Sequence, residues 1–246
     1  MNIRIWFGLA RSLVIYNNPL RTITLRRFYR NLLQPGDLAF DIGAHVGTRA
    51  RALRAAGARV VALEPQEPFT TLLRRTLPRD IILIPAAAGR AEMMADMAVS
   101  SLHPTVSSLQ PDFAATAGAT PGFSHVTWDK RQRVQVTTLD RLITEHGQPK
   151  YIKIDVEGFE LDVLFGLSKP VPLLSVEYLP ALPDQTIAVI ARLQELGPYQ
   201  FNPVRGEAGH FQWPDWRTPS DTVAWLQTLP ADARSGDLYA RLPPAK

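Results

Sequence analysis

The chain has 246 residues, 46% of them hydrophobic and 20% charged, which suits one large domain or two small ones around a sizeable core. It holds no cysteine, which excludes disulfide scaffolds, cysteine-based zinc sites and thiol nucleophiles. A formal charge of +4 gives little support for phosphate binding, and no ordered nucleic-acid motif is present, so no nucleic-acid partner is expected.

Residues 1 to 33 carry Arg4, Arg11, Arg21, Arg26, Arg27 and Arg30 and no acid. This predicts an N-terminal helical cap over 1–34 with its arginines on a solvated face; an amphipathic segment drawn to an anionic surface is the alternative. No run reaches the roughly 18 apolar residues that span a bilayer. The opening MNIRIWFGLARSLVIY resembles a signal peptide only loosely, because Arg11 cuts its apolar stretch short. A soluble cytoplasmic protein without a transmembrane segment is expected, and a homodimer is compatible with the sequence.

From residue 35 to the end the pattern predicts one domain in which strands alternate with helices. LAFDIGA (38–44) reads as a strand and TRARALRAAG (48–57) as a helix stopped by Gly57. ARVVALEP (58–65) is the next strand, PFTTLLRRTL (68–77) a helix with Pro68 in its first turn, and DIILIPAAA (80–88) a third strand. YIKIDVEG (151–158), FELDVLFGL (159–167) and VPLLSVEYL (171–179) give strand, helix and strand. TIAVIARLQELG (186–197) is an amphipathic helix. YQFNPV, HFQW and DLYARL read as short strands around a helix near 218–229. Short, almost unbroken apolar strands between helices argue for a mostly parallel α/β sheet covered on both faces. Residues 90–138 break the rhythm: AEMMADMAV (91–99) suggests an extra strand, and the Ser, Thr, Pro and Gly-rich stretch over 100–130 an acceptor pocket or lid.

In a parallel sheet, ligands bind at the carboxyl ends of strands. Asp41 stands at such an end, and Gly43 and Gly47 bracket the turn into the next helix. Glycine there tolerates positive φ and lets backbone approach a ligand. Glu64 ends the second strand, 23 residues after Asp41, the offset at which a carboxylate holds ribose hydroxyls. The dinucleotide pattern G-x-G-x-x-G and a P-loop lysine are both absent. An acid so close to the first glycine repels a pyrophosphate but suits an ammonium. That combination points toward S-adenosylmethionine.

DIGAHVG, ALEP, SSL at 107–109, TTLD at 137–140, YIKIDVEGFELDVLFGL and SVEY occur in the order and spacing of the FkbM-type methyltransferases, which the chain resembles over roughly 35–180. The resemblance implies a class I methyltransferase (Rossmann-like) fold with a seven-stranded, mostly parallel sheet and helices on both faces. It implies S-adenosylmethionine as cofactor and O-methylation of a hydroxyl on a small molecule, sugar or glycan. By the same resemblance Asp41, Gly43, Ala44, Gly47, Glu64 and Pro65 line the cofactor site, with Ala86 and Ala87 near the adenine. Ser107 and Ser108 touch cofactor or acceptor. His45 lies in the cofactor turn, where its backbone matters more than its ring. A nucleotide-binding oxidoreductase of Rossmann topology and a non-catalytic scaffold are the alternatives.

IKIDVEG also speaks for itself. Alternation puts Lys153 and Asp155 on one face, and a lysine inside a central strand must be paired or functional. Asp155 is its neighbour, Glu177 a second partner, and Glu157 follows at the strand end. A lysine beside carboxylates is a poor base at neutral pH. Lys153 is therefore cast as an electrostatic positioner of the acceptor, and Asp155 or Glu157 as the base; an internal Lys–Asp–Glu network that only orders the strand ends is the alternative. Asp155, Glu157, Glu177 and Asp140 are also hard oxygen ligands. No metal is expected, because Lys153 takes the place of a cation and Asp140 suits a helix N-cap. His103 and His125 flank the irregular segment, from which either is available as a base on loop closure.

Overall fold

A computed structural model of the protein describes residues 19–102, 107–109, 126–206 and 208–243. Residues 1–18 of the expected cap, residues 103–106 and 110–125 of the expected lid, and with them His103 and His125, lie outside the described residues.

The elements run α1 (Pro19–Arg30), β1 (Leu38–Ile42), α2 (Thr48–Ala55), β2 (Arg59–Leu63), α3 (Phe69–Thr76), β3 (Ile82–Ile84), β4 (Ala87–Ala88), β5 (Met93–Val99) and β6 (Lys130–Thr137). They continue with α4 (Leu139–His146), β7 (Tyr151–Ile154), α5 (Glu160–Phe165), β8 (Leu173–Tyr178), α6 (Pro183–Leu196), β9 (Gln200–Arg205), α7 (Pro219–Gln227) and β10 (Gly236–Arg241). A seven-stranded sheet has the order β3-β2-β1-β7-β8-β10-β9. β3, β2, β1, β7 and β8 are parallel, and β10 runs antiparallel to both its neighbours. This is the seven-stranded, mostly parallel α/β sheet that the sequence predicts.

The central strands are central because they are apolar on both faces. β1 and β7 are buried at every position. Phe40, Ile42, Ile152, Ile154, Leu174 and Val176 pack on one side with Leu142, Leu164 and Val189 of the helices. Ala39, Tyr151 and Tyr239 face the other side, where Leu25, Phe28 and Tyr29 of α1 and Leu53 of α2 cover them. The order reverses at β1, which has β2 and then β3 on one side and β7 on the other. Such a switch point opens a crevice at the carboxyl ends of the strands.

Three features differ from expectation. The third predicted strand divides: β3 joins the main sheet, whereas β4 joins a second, three-stranded sheet of order β4-β6-β5. Pro85 sits between them and has no N–H to continue a ladder. β6 is the unpredicted member; its sequence KRQRVQVT alternates, with Val134 and Val136 buried beneath the small sheet. HFQW forms no strand. It is tied down by Gln212 N–H to the Pro203 carbonyl (2.8 Å) and Trp213 N–H to Asn202 Oδ1 (3.1 Å). Asp140 also corrects an expectation. The helix N-cap is Thr138, extended at φ −107° and accepting from Arg141 N–H, while Asp140 Oδ1 accepts from Ser168 N–H at 2.9 Å.

Candidate active site

The turn after β1 is built by backbone constraint. Gly43 has φ 86°, and a Cβ placed there would stand 1.9 Å from the Asp155 carbonyl oxygen, so only glycine fits. The N–H groups of Gly43 and Ala44 donate to the Leu63 carbonyl at 3.0 and 2.8 Å, which locks the turn to the end of β2. His45 is left-handed at φ 51°, a conformation that costs a side-chain-bearing residue and marks an over-determined position. Its N–H donates to Glu64 Oε2 at 2.7 Å, and its ring meets Phe69 edge-on at 4.3 Å. Burial lowers the imidazole to about 4, against the opposing pull of Asp155, so the ring is neutral at physiological pH.

Two buried acids flank this turn. Glu64, 5% exposed, accepts from His45 N–H at one oxygen and from Gln66 N–H (2.8 Å) at the other. Burial pushes it up to about 8 despite those two donors. Each oxygen keeps a lone pair for a further donor. Asp41 is fully buried, and neither carboxylate oxygen meets a hydrogen-bond partner. Burial raises it to about 6, opposed by the charges of Lys153 and Arg49. An unsatisfied buried carboxylate calls for a missing cation or donor.

A cleft opens beside the turn. Gly43, His45, Glu64, Pro65 and Phe69 form one wall, Ala86, Ala87, Met97 and Leu109 another, and Asp155, Glu157 and Phe159 close the third. The third wall carries the charge chemistry. Lys153, 1% exposed, places Nζ 2.5 Å from Asp155 Oδ2 and 4.0 Å from Asp237 Oδ1. Burial works against its charge, but the two carboxylates outweigh it and hold the ammonium above its usual range. Burial would likewise raise Asp155; the charge and hydrogen bond of Lys153 instead hold it below the usual carboxylate range. Glu157 behaves oppositely: burial, reinforced by Asp155 and Glu160, pushes it well above that range. Glu177 at the tip of β8 is raised in the same way, by burial first and then by Asp155, Glu157 and Glu160. Carboxylate oxygens of Asp155, Glu157 and Glu177 lie within 4.8 Å of one another.

A profile described as the methyltransferase FkbM domain matches residues 41–230. The chain belongs to the FkbM methyltransferase family. The match takes in the glycine turn, the β2 acid and the whole third wall of the cleft. No curated protein matches the chain. Among solved structures it is similar to an O-methyltransferase from Bacillus cereus in complex with SAH, at 14% identity over 96% of this chain and 90% of that one, with a TM-score of 0.45. It is also similar to a TehB-like SAM-dependent methyltransferase from Corynebacterium glutamicum, at 8% identity, 95% and 94% coverage and TM-score 0.46. A ribosomal protein L11 methylase from Lactobacillus delbrueckii follows at 13% identity, 92% and 81% coverage and TM-score 0.46.

Within this FkbM methyltransferase, Gly43, His45, Glu64, Pro65, Ala86, Ala87, Asp155 and Glu157 come together around the cleft. Asp41, Ala44 and Gly47 stand behind its lining, where they shape the turn. Lys153 also stands back, behind Asp155. Ser108 is buried, and its Oγ donates to the Glu157 carbonyl at 2.7 Å; its neighbour Ser107 reaches the lining. Phe69 and Met97 line the cleft without a signal in the sequence, since apolar residues in a helix or an edge strand read as packing, whereas Leu109 belongs to the SSL motif. Glu177, expected beside Lys153, stands with Asp155 and Glu157, and Asp237 is the second anion near Lys153.

Proposed function

We propose that the protein is an S-adenosylmethionine-dependent O-methyltransferase acting on a hydroxyl of a small molecule, sugar or glycan. One observation carries this reading: the doubly braced Glu64 and the acids Asp155 and Glu157 line the same cleft. The residues fit the donor. Glu64 has lone pairs for two ribose hydroxyls, and Pro65, Phe69, Ala86 and Ala87 offer an apolar bed for adenine. S-adenosylmethionine supplies a methyl carbon activated by a sulfonium.

Glu157 is the proposed base. Burial, reinforced by Asp155 and Glu160, raises its carboxyl well above the usual glutamate range, which makes its carboxylate a stronger base, and it receives the acceptor's proton as the new O–C bond forms. Asp155, kept ionised by Lys153, accepts from the acceptor and aligns it, and alignment supplies much of the acceleration in a two-reactant transfer. Lys153 acts through Asp155 and gives the acid cluster its fixed positive charge, so no divalent ion is invoked. Calorimetry with S-adenosylhomocysteine, followed by an acceptor screen with labelled donor, tests the reading. Binding of that ligand and label on an acceptor oxygen are expected; binding of NAD instead would favour an oxidoreductase, and label on nitrogen or carbon would overturn O-methylation.

A further inference from the structure

We infer that Asp237, on the antiparallel strand β10, is a positioning residue of the methyl-transfer site: anchored by Arg49, it fixes the ammonium of Lys153 against Asp155. This rests on the function proposed above. Asp237 pairs in register with Glu177, so β10 brings it level with the active tip of β8, although it comes late in the chain. It is 4% exposed. Its Oδ2 takes an ion pair from Arg49 Nη2 at 2.9 Å, and its Oδ1 lies 4.0 Å from Lys153 Nζ. Arg49 is itself steadied by Nη1 donating to the Tyr29 hydroxyl at 3.3 Å.

The result is a buried line of alternating charge, Arg49, Asp237, Lys153, Asp155, of which only Asp155 reaches the cleft. The alternation gives Asp237 its role. Arg49 and Lys153 are like charges in one water-poor space, and Asp237 stands in contact range of both. With that charge removed, the two cations compete for Asp155 and Asp41, and the Lys153 ammonium loses the second anion that sets its direction. Asp155 then loses the fixed donor that orients it toward the acceptor. An ion pair that merely tied β10 to α2 would need only the Arg49 contact, whereas here the other oxygen of Asp237 is turned to the active-site lysine.

The test replaces Asp237→Asn, which keeps shape and removes charge, in the full chain. The side-chain ammonium of Lys153, assigned by its loss in Lys153→Met, is followed by 1H–15N NMR. In Asp237→Asn its resonance should shift and exchange with water about tenfold faster, with turnover on the screened acceptor falling about tenfold at an unchanged KM for the donor, as when a partner that orients a site group is lost. S-adenosylhomocysteine affinity should stay within about threefold. An unchanged Lys153 resonance overturns the inference. A second variant, Arg49→Met with Asp237→Asn, removes both members of the pair and covers the case in which the single variant does not fold. A disturbed Lys153 signal there supports positioning, and a wild-type signal would reduce Asp237 to a counter-ion of Arg49. Failure of the wild-type protein to bind S-adenosylhomocysteine would sink the methyltransferase assignment but leave the NMR result readable on its own terms.

Discussion

Glu64 is a carboxyl held near 8 where a free glutamate sits at 4.5, and the cause is burial. At pH 7 it is largely protonated before ligand arrives, yet in the role proposed for it the form that would accept two ribose hydroxyls is ionised. Ligand binding therefore releases a proton. S-adenosylhomocysteine affinity should rise as pH climbs from 6 to about 8, by up to about tenfold per unit, and level off above. Calorimetry in buffers of different ionisation enthalpy reads the proton directly. Glu64→Gln should flatten the profile, and Glu64→Ala should weaken binding by about 1–3 kcal/mol. The same shift has a stability consequence. The unfolded chain ionises this group near 4.5 and the fold near 8, so the ligand-free protein loses stability as pH rises through that window. Across the cleft, Asp155 and Glu157 should separate by role. Glu157→Gln should cut turnover by about 10²-fold or more while S-adenosylhomocysteine affinity holds, as expected for loss of a general base. Asp155→Asn leaves Lys153 without its close anion, so its loss of turnover should come with a lower melting temperature. A Glu157→Gln protein at full activity would pass the base role to Asp155 or Glu177.

At the scale of elements, the turn after β1 and the helix α1 do different work. Gly43→Ala combines a positive φ with a Cβ driven into the Asp155 carbonyl, so it should cost about 2 kcal/mol or more and loosen the contact between the β1 and β7 tips. Reduced S-adenosylhomocysteine affinity with a lowered urea midpoint is the expected result. Phe28 of α1 is a core residue, with Phe211 and Tyr239 edge-on at 5.2 and 5.4 Å; Phe28→Ala should cost about 3–5 kcal/mol in chemical denaturation. Elements of this sheet differ in how plainly the sequence marks them. β1, β2, β7 and β8 are legible because a strand buried on both faces reads as an apolar run, and LAFDI and RVVAL can hardly be anything else. The glycine turn and Glu64 are legible because both sit at fixed offsets from those runs. β6 carried a period-two signal in RVQV, hidden among the charged and polar residues of its exposed face. The division of DIILIPAAA hung on one proline. The pairing of Arg49 with Asp237 was illegible, because 188 residues separate them and only the antiparallel return of β10 brings them together.

Among the described residues, two sheets share the cleft. The main sheet supplies the acids. The small sheet, with its own core of Ala87, Met97, Val99, Val134 and Val136, closes the side where Ala86 and Ala87 lie. The two are stapled at both ends of the cleft. On the cofactor side, Gln132 Nε2 donates to the Pro65 carbonyl at 2.8 Å and its Oε1 accepts from Glu67 N–H at 3.1 Å. Beside the third wall, Ser108 Oγ donates to the backbone carbonyl of Glu157, which is itself left-handed at φ 52°. The small sheet thus fixes the loop after Glu64 and the conformation of the proposed base together. Gln132→Ala separates its role in binding from its role in folding. Each lost hydrogen bond is worth about 0.5–1.5 kcal/mol, so S-adenosylhomocysteine affinity should fall severalfold. The unfolding midpoint should move little, because the apolar residues Met97, Val134 and Val136 of the small-sheet core stay in place. An affinity equal to wild type would mean that Pro65 and its neighbours hold their shape unaided, and that the small sheet covers the cleft without organising it.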